Sequence, residues 1–304
     1  MKYVKYNDYD ISKLSLGTVQ FGLNYGIANQ NGQPNQDTVN DILNYVSSMG
    51  INSFDTAQGY GDSEEVLGNY FKTIVEPRIS VVSKIDSKVL ELKEHDLIES
   101  IKGSSTRLHV DCLFALLMHN SNLMDKWDKS FSNKVRILKQ KNIIKYFGVS
   151  IYSNKEFELA LYNEDIDIIQ IPFNLFDQRA LKNKWFDKAK NKNKFIFIRS
   201  IYLQGLLLMN TEDIPEKLSF AKEYVKMVEE FSIRLQISKN ELCLSFVNSV
   251  AKDASILFGC ETLAQAKENL NIYNNLKDIN CEVIKEISDT FKDLDERIYN
   301  PTKW

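Results

Sequence analysis

Ile51-Asn-Ser-Phe-Asp55-Thr-Ala-Gln-Gly-Tyr60-Gly61-Asp-Ser-Glu-Glu-Val-Leu-Gly68 is the stretch on which the fold turns. Its first five residues have the apolar bias of a short buried strand. The glycines that follow mark a turn, and Asp62 or Ser63 is placed to cap a helix. Glu64 and Glu65 then fall in the first helical turn, where the helix dipole favours negative charge. A carboxylate, Asp55, and a phenol, Tyr60, thus stand on one strand-to-helix connection.

The same grammar repeats on both sides. Upstream, Leu14-Ser-Leu-Gly17-Thr18 reads as a strand ending in a Gly-rich turn. The periodic residues Val39, Ile42, Leu43, Val46 and Met49 read as a helix stopped by Gly50. Downstream, strands are expected at residues 79–83, 112–118, 144–150, 166–170, 195–198 and 255–258, with helical patterns between them. The last helices are expected at residues 262–273 and 282–297. Eight strands alternating with about eight helices, with no linker and no low-complexity segment, predict one (β/α)8 TIM barrel over residues 1–304. A doubly wound sheet with a second domain is the competing architecture.

Bulk composition narrows the function. The chain has 304 residues, 43% hydrophobic and 26% charged, as expected of an ordinary globule. A net charge of −3 gives no footprint for nucleic acid. No apolar run is long enough to span a bilayer, and residues 1–10 lack the apolar core of a signal peptide. The four cysteines have no metal-type spacing and read as reduced thiols of a cytoplasmic protein.

Two further polar residues end strands. Lys84 closes Ile79-Ser-Val-Val-Ser-Lys84, and His119 closes Leu113-Phe-Ala-Leu-Leu-Met-His119. Each alone has an ordinary reading: Asp55 a helix cap, Tyr60 a rim aromatic, Lys84 a solvated charge, His119 a structural histidine. Together they fall on the rim formed by the carboxyl ends of the strands, where barrels build their chemistry. An ammonium beside a phenol lowers its pKa, and a carboxylate behind the ammonium holds it charged. A histidine nearby hydrogen-bonds a substrate oxygen. The set suits protonation of an alkoxide forming on a carbonyl. No side chain supplies hydride, so a nicotinamide has to.

At this point the sequence resembles the aldo-keto reductase family. The likeness rests on Phe54-Asp55-Thr56-Ala57 with Tyr60-Gly61, on Val82-Ser83-Lys84, and on Leu117-Met118-His119-Asn120. It extends from Leu14 to Asn269 and is close to bacterial members of surface-polysaccharide or nucleotide-sugar pathways. It implies a barrel that binds extended NADPH without a Rossmann domain. Tyr60 is then the general acid, Lys84 and Asp55 tune it, and His119 orients the carbonyl. It places Gly17 and Thr18 under the nicotinamide ribose and Ser150 and Gln170 at the carboxamide. Arg199 falls where many members stack a tyrosine on the ring. Ser200, Leu203, Gln204 and Gly205 follow the pyrophosphate. Gly259, Cys260 and Gln265 stand where the 2′-phosphate is held, and Glu268 and Asn269 at the adenine.

This chain departs from the pattern at two places. Ile151 replaces the usual asparagine after Ser150. The usual basic residues at the 2′-phosphate are missing and Glu261 is acidic, so NAD stands as an alternative to NADP. Lys267 compensates only if its side chain turns inward.

The substrate is expected to be a small carbonyl compound, with no nucleic-acid or membrane partner. Its pocket is expected from residues 21–35, 120–127, 174–179 and 202–213, with Phe21, Tyr25, Phe173, Asn174 and Arg179 as wall candidates. Arg179 and Arg199 are the cations suited to a diphosphate. The tail, residues 299–304, looks too short to reach deep into the pocket. Two other readings share these residues: a cofactor sensor without turnover, and a sugar epimerase or eliminase that uses its cofactor transiently.

Overall fold

The computed structural model describes residues 1–74, 79–121, 124–276 and 279–304. Eight parallel strands close into a barrel in the order β10-β3-β4-β5-β6-β7-β8-β9. They are β3 (Leu14–Gly17), β4 (Ser53–Asp55), β5 (Ser80–Ile85), β6 (Leu113–Met118), β7 (Ile144–Ser150), β8 (Ile168–Pro172), β9 (Phe195–Arg199) and β10 (Ser255–Gly259). This is the expected (β/α)8 barrel. A hairpin of β1 (Tyr3–Tyr6) and β2 (Tyr9–Ser12) precedes it. Tyr6 and Ile11 of the hairpin pack on the barrel's inner cluster and close its floor. The hairpin was not expected. The turn dipeptide Asn7-Asp8, with Asn7 at φ 50, is its signature in the sequence.

Strand periodicity decides what reaches the mouth. Along β9, Phe195 and Phe197 face the inner cluster while Ile196 and Ile198 face the helices. The same alternation puts Val82 inside on β5, Ala115 and Leu117 inside on β6, and Ile168 inside on β8. Two residues beyond each inner apolar side chain stand Lys84, His119 and Gln170. On β4, Phe54 belongs to the outer layer, so Asp55 turns inward. One alternation of period two thus changes from apolar to polar where the strands end.

The helices cover the outside by the expected stripes. Val39, Ile42, Leu43 and Val46 are buried on the helix Gln36–Ser48, which Asn35 caps and Gly50, at φ 89, follows. The helix Ser63–Phe71 differs in one respect. Asp62 makes no side-chain cap, and Glu64 is buried, bridging Ser83 and Arg107 at 2.5 and 2.6 Å. The single closing helix expected at residues 282–297 is two, Cys281–Phe291 and Glu296–Tyr299. Asp295 restarts the second by accepting from the Arg297 N–H, and a capping carboxylate breaks a helix that its apolar spacing would continue. Among the described residues, no helix is long and apolar enough to cross a membrane.

Two close approaches fix the frame. A Cβ on Gly22 would overlap the Tyr60 carbonyl, and Gly61, at φ 52, lies against the Gly22 carbonyl. The Tyr60 turn therefore rests on bare backbone. At the barrel floor, Lys13 is 5% exposed and its ammonium donates to the carbonyls of Ala251, Lys252 and Ala254. It ties the start of β3 to the end of the helix Lys239–Val250.

Replacing Lys13→Met strands these carbonyls and is expected to cost about 2 kcal/mol, read by urea denaturation, with nucleotide binding at the far end unchanged. Gly22→Ala is expected to push the Tyr60 turn out of place. Any reaction carried by the Tyr60 turn should slow steeply while the circular dichroism of the barrel stays native. Unchanged activity would show that the turn does not depend on this contact.

Candidate active site

The connection after β4 carries Tyr60 to Lys84 by continuing the sheet's hydrogen bonds. Thr56 N–H donates to the Val82 carbonyl at 2.8 Å and Gln58 N–H to the Lys84 carbonyl at 2.9 Å. Tyr60 N–H then closes a turn on the Ala57 carbonyl at 3.0 Å. The chain runs along β5 for one more ladder step before the turn, so the phenol ends beside the ammonium.

Lys84 is 1% exposed and its ammonium has three partners. It donates to an Asp55 carboxylate oxygen, to the Thr56 carbonyl at 2.9 Å and to the Tyr60 hydroxyl at 3.3 Å. The second Asp55 oxygen accepts from the Gln170 amide at 2.7 Å. The His119 ring lies edge-on to Tyr60, with centroids 5.2 Å apart. The four expected residues therefore meet in one place. Thr18 supports them from behind, donating to the Asp55 carbonyl at 2.9 Å and pairing with the Ser63 hydroxyl.

The electrostatics correct one expectation. Burial is the larger influence on Tyr60, and it holds the phenol above its ordinary pKa despite the opposing pull of Lys84. Burial also acts to depress Lys84, but Asp55 and Tyr60 together outweigh it and the ammonium's pKa is raised. His119 is pushed down to about 4 by burial, with Lys84 and Arg199 adding to it. At neutral pH the site holds a protonated phenol, a charged lysine and an uncharged imidazole.

Asp55, Tyr60 and His119 border a cavity of about 820 Å3, with Lys84 sealed behind them. Of the expected cofactor residues, Gly17, Thr18, Ser150 and Gln170 line it near Asp55 and Tyr60. Arg199, Ser200, Gln204 and Gly205 line a second wall. Gly259, Gln265, Glu268 and Asn269 line the part next to the helix Leu263–Asn274. Leu203 and Cys260 do not line it. Both side chains are buried in the apolar core. Arg199 stacks 4.2 Å from the Tyr152 ring centroid and donates to Ser150 and Ser200 hydroxyls and to the Ile151 carbonyl. Lys267 lies over the Tyr45 ring, away from the cavity.

Two of the four expected wall segments border the cavity, residues 21–35 through Tyr25, Gly26, Ala28 and Asn29, and residues 202–213 through Tyr202, Gln204, Gly205, Leu208 and Met209. Tyr25 lines the cavity, but Phe21 and Phe173 are fully buried in the core. Residues 174–179 fold inward around their own carboxamide. The Asn174 side chain accepts from Phe176 and Asp177 N–H groups and donates to the Ser200 carbonyl. Arg179 is neutralised by Asp177 and donates to the Tyr152 carbonyl, so it offers no charge to a ligand. Both residues thus brace pocket walls without forming them. Of residues 120–127, numbers 122 and 123 lie outside the described residues and the others do not border the cavity. The tail does reach it, through Pro301 and Thr302.

Sequence reasoning missed Gln20, Tyr152, Lys239 and Asn240, all on the cavity wall. Lys239 and Asn240 begin a helix whose spacing reports only its buried face. Ser238, its cap, was the one available marker that a helix start stood there.

The sequence and the fold have counterparts. The sequence pattern of the aldo/keto reductase family matches residues 13–289. The uncharacterized oxidoreductase YqkF of Bacillus subtilis is 24% identical over 289 residues, 88% of this chain and 89% of that protein. D-arabinose 1-dehydrogenase of Saccharomyces cerevisiae is 29% identical over 158 residues, 49% of this chain and 46% of that protein. Among solved structures, the holo form of aldo-keto reductase AKR11C1 from Bacillus halodurans superposes with a TM-score of 0.77 at 19% identity. That match covers 100% of this chain and 99% of that one. With the family pattern running through almost the whole barrel, this chain belongs to the aldo/keto reductase family and is an oxidoreductase of carbonyl and alcohol groups.

Proposed function

We propose that the protein reduces an aldehyde or ketone with NAD(P)H, with Tyr60 as the proton donor. The observation that carries this is the buried Lys84 ammonium, shared between Asp55 and the Tyr60 hydroxyl, with Tyr60 and Asp55 on the wall of a cavity of about 820 Å3 that runs on to the helix Leu263–Asn274. Bound nicotinamide supplies hydride. Ser150 and Gln170 offer hydroxyl and amide groups beside Tyr60, suited to a carboxamide, though both already hold internal partners.

The chain's own residues then act on the oxygen. The neutral His119 imidazole donates a hydrogen bond to the carbonyl and fixes its angle. Charge grows on that oxygen during reduction, and the Tyr60 O–H proton transfers to it. The phenolate left behind is held by Lys84, which Asp55 keeps charged and aimed. Regeneration draws a proton from solvent. Burial keeps the phenol protonated, the state in which Tyr60 can donate.

For the substrate we propose a sugar or nucleotide-sugar derivative. Support comes from the hydroxyl and amide groups of Tyr25, Tyr152, Gln204 and Thr302 around the mouth, which match a polyol better than a hydrocarbon. The sugar named for the yeast relative points the same way.

Tyr60→Phe is expected to lower the turnover number at least about 100-fold in an assay of NAD(P)H oxidation against sugar aldehydes and ketones, with nucleotide affinity little changed. Equal turnover in the variant would sink the assignment, and substrate consumed without net nucleotide change would favour epimerase or eliminase chemistry. A pH profile is a second check. His119 is neutral until about pH 4, so the rate of reduction should show no inflection near the ordinary histidine value of 6.5. It should fall only on the alkaline side of the ordinary phenol value of 10.0, as Tyr60 loses its proton.

A further inference from the structure

The part of the cavity next to the helix Leu263–Asn274 carries two carboxylates, Glu261 and Glu268. Glu261 is 8% exposed and sits just before the Thr262 cap of that helix. Gln265 grips it from both sides: its side-chain oxygen accepts from the Glu261 N–H at 2.9 Å and its amide donates to Glu261 Oε1 at 3.0 Å. The other carboxylate oxygen has no protein donor among the described residues. A helix start ordinarily draws an anion from a ligand. Here the protein's own carboxylate occupies that field.

Two buried acceptors stand on the same wall without a donor. Asn240 is 8% exposed, and its side-chain oxygen has no partner among the described residues. Its orientation is fixed, because its amide donates to Glu268 at 3.3 Å and the reverse flip would set oxygen against carboxylate. The Gln20 side-chain oxygen, packed beside Gly259, is likewise buried and unpartnered. Both oxygens are sealed from the cavity, so the acceptor a ligand meets here is the free Glu261 oxygen, and the group that fits it brings donors. Hydroxyls and amines do so. A phosphate monoester at neutral pH brings acceptors and negative charge.

Lys267 faces Tyr45, and the Lys239 ammonium, on the cavity wall, spends one of its three donors on the Met209 carbonyl at 2.6 Å. Arg199 is the other cation on the cavity wall, and it belongs to the Ser150 and Ser200 side.

We propose that this end of the cavity selects NAD(H) over NADP(H), with Glu261 accepting from the free ribose diol of the adenosine and repelling a 2′-phosphate. The inference rests on the reading that a nicotinamide dinucleotide lies in the cavity with its ring at Tyr60. An acidic residue on a ribose hydroxyl is the device by which dinucleotide folds of other architecture make the same choice.

The test is direct titration of NADH and NADPH into the full-length protein, followed by nucleotide fluorescence, with wild type, Glu261→Gln and Lys239→Ala. Wild type is expected to bind NADH at least about tenfold more tightly than NADPH, and Glu261→Gln to shrink that ratio about tenfold by relieving the repulsion. Lys239→Ala is expected to leave the ratio unchanged. Equal or tighter binding of NADPH by wild type overturns the proposal and leaves the reductase reading intact. So does a selective loss of NADPH affinity in Lys239→Ala, which would make that lysine a phosphate ligand. Should Glu261→Gln fail to fold, the wild-type ratio and the lysine variant still decide. Failure of both nucleotides to bind would remove the dinucleotide reading and this inference together.

Discussion

A buried ammonium constrains everything at the barrel mouth. Lys84 is sealed from water, and a bare charge there would be costly by several kcal/mol. Its three donors are all taken, by Asp55, the Thr56 carbonyl and the Tyr60 hydroxyl. Asp55 needs its own second partner and finds it in Gln170, 115 residues away. Three strands, β4, β5 and β8, must therefore present polar groups at one level of the barrel. The groups proposed for chemistry are also the groups that make the charge tolerable. Stability and function share the same contacts at this site.

The balance of burial against charge gives each group a different state. Lys84 gains more from its partners than it loses to burial, and stays charged. Tyr60 and His119 have less compensation, so burial prevails and both remain neutral at ordinary pH. A cation held between a carboxylate and a neutral acid is poised to receive a phenolate. Arg199, stacked on Tyr152 with its hydrogen bonds spent on Ser150, Ser200 and Ile151, adds a second positive field without a second acid.

The cavity changes character along its length. Tyr60 and Arg199 stand at one end, while the Glu261 carboxylate and the Lys239 ammonium stand toward the helix Leu263–Asn274. Loop residues that looked like ligand contacts became braces instead. Asn174 and Arg179 spend their polar groups on neighbouring backbone and hold Ser200 and Tyr152 in position. Phe21 and Phe173 went to the core because a fully apolar ring beside a barrel gains more from burial than from rimming a wet pocket. Helix starts such as Lys239-Asn240 went the other way, onto the cavity wall.

Local chemistry wrote the barrel and its polar rim into the sequence. Strand alternation has a period of two, so Val82 facing inward commits Lys84, and Leu117 commits His119. Helix stripes and caps are equally local, and together they marked out the barrel before any contact was known. Closure of the barrel decided the rest. It set the pairing of Asp55 with Gln170, the meeting of Gly22 with Tyr60, the inward fold of residues 174–179 and the reach of Pro301 and Thr302. Those are distances between parts of the chain far apart in number, and side-chain periodicity carries no record of them. The pKa of Tyr60 belongs with this second group. A neighbouring lysine can be read from a motif, but the depth of burial that opposes it exists only once the walls have closed.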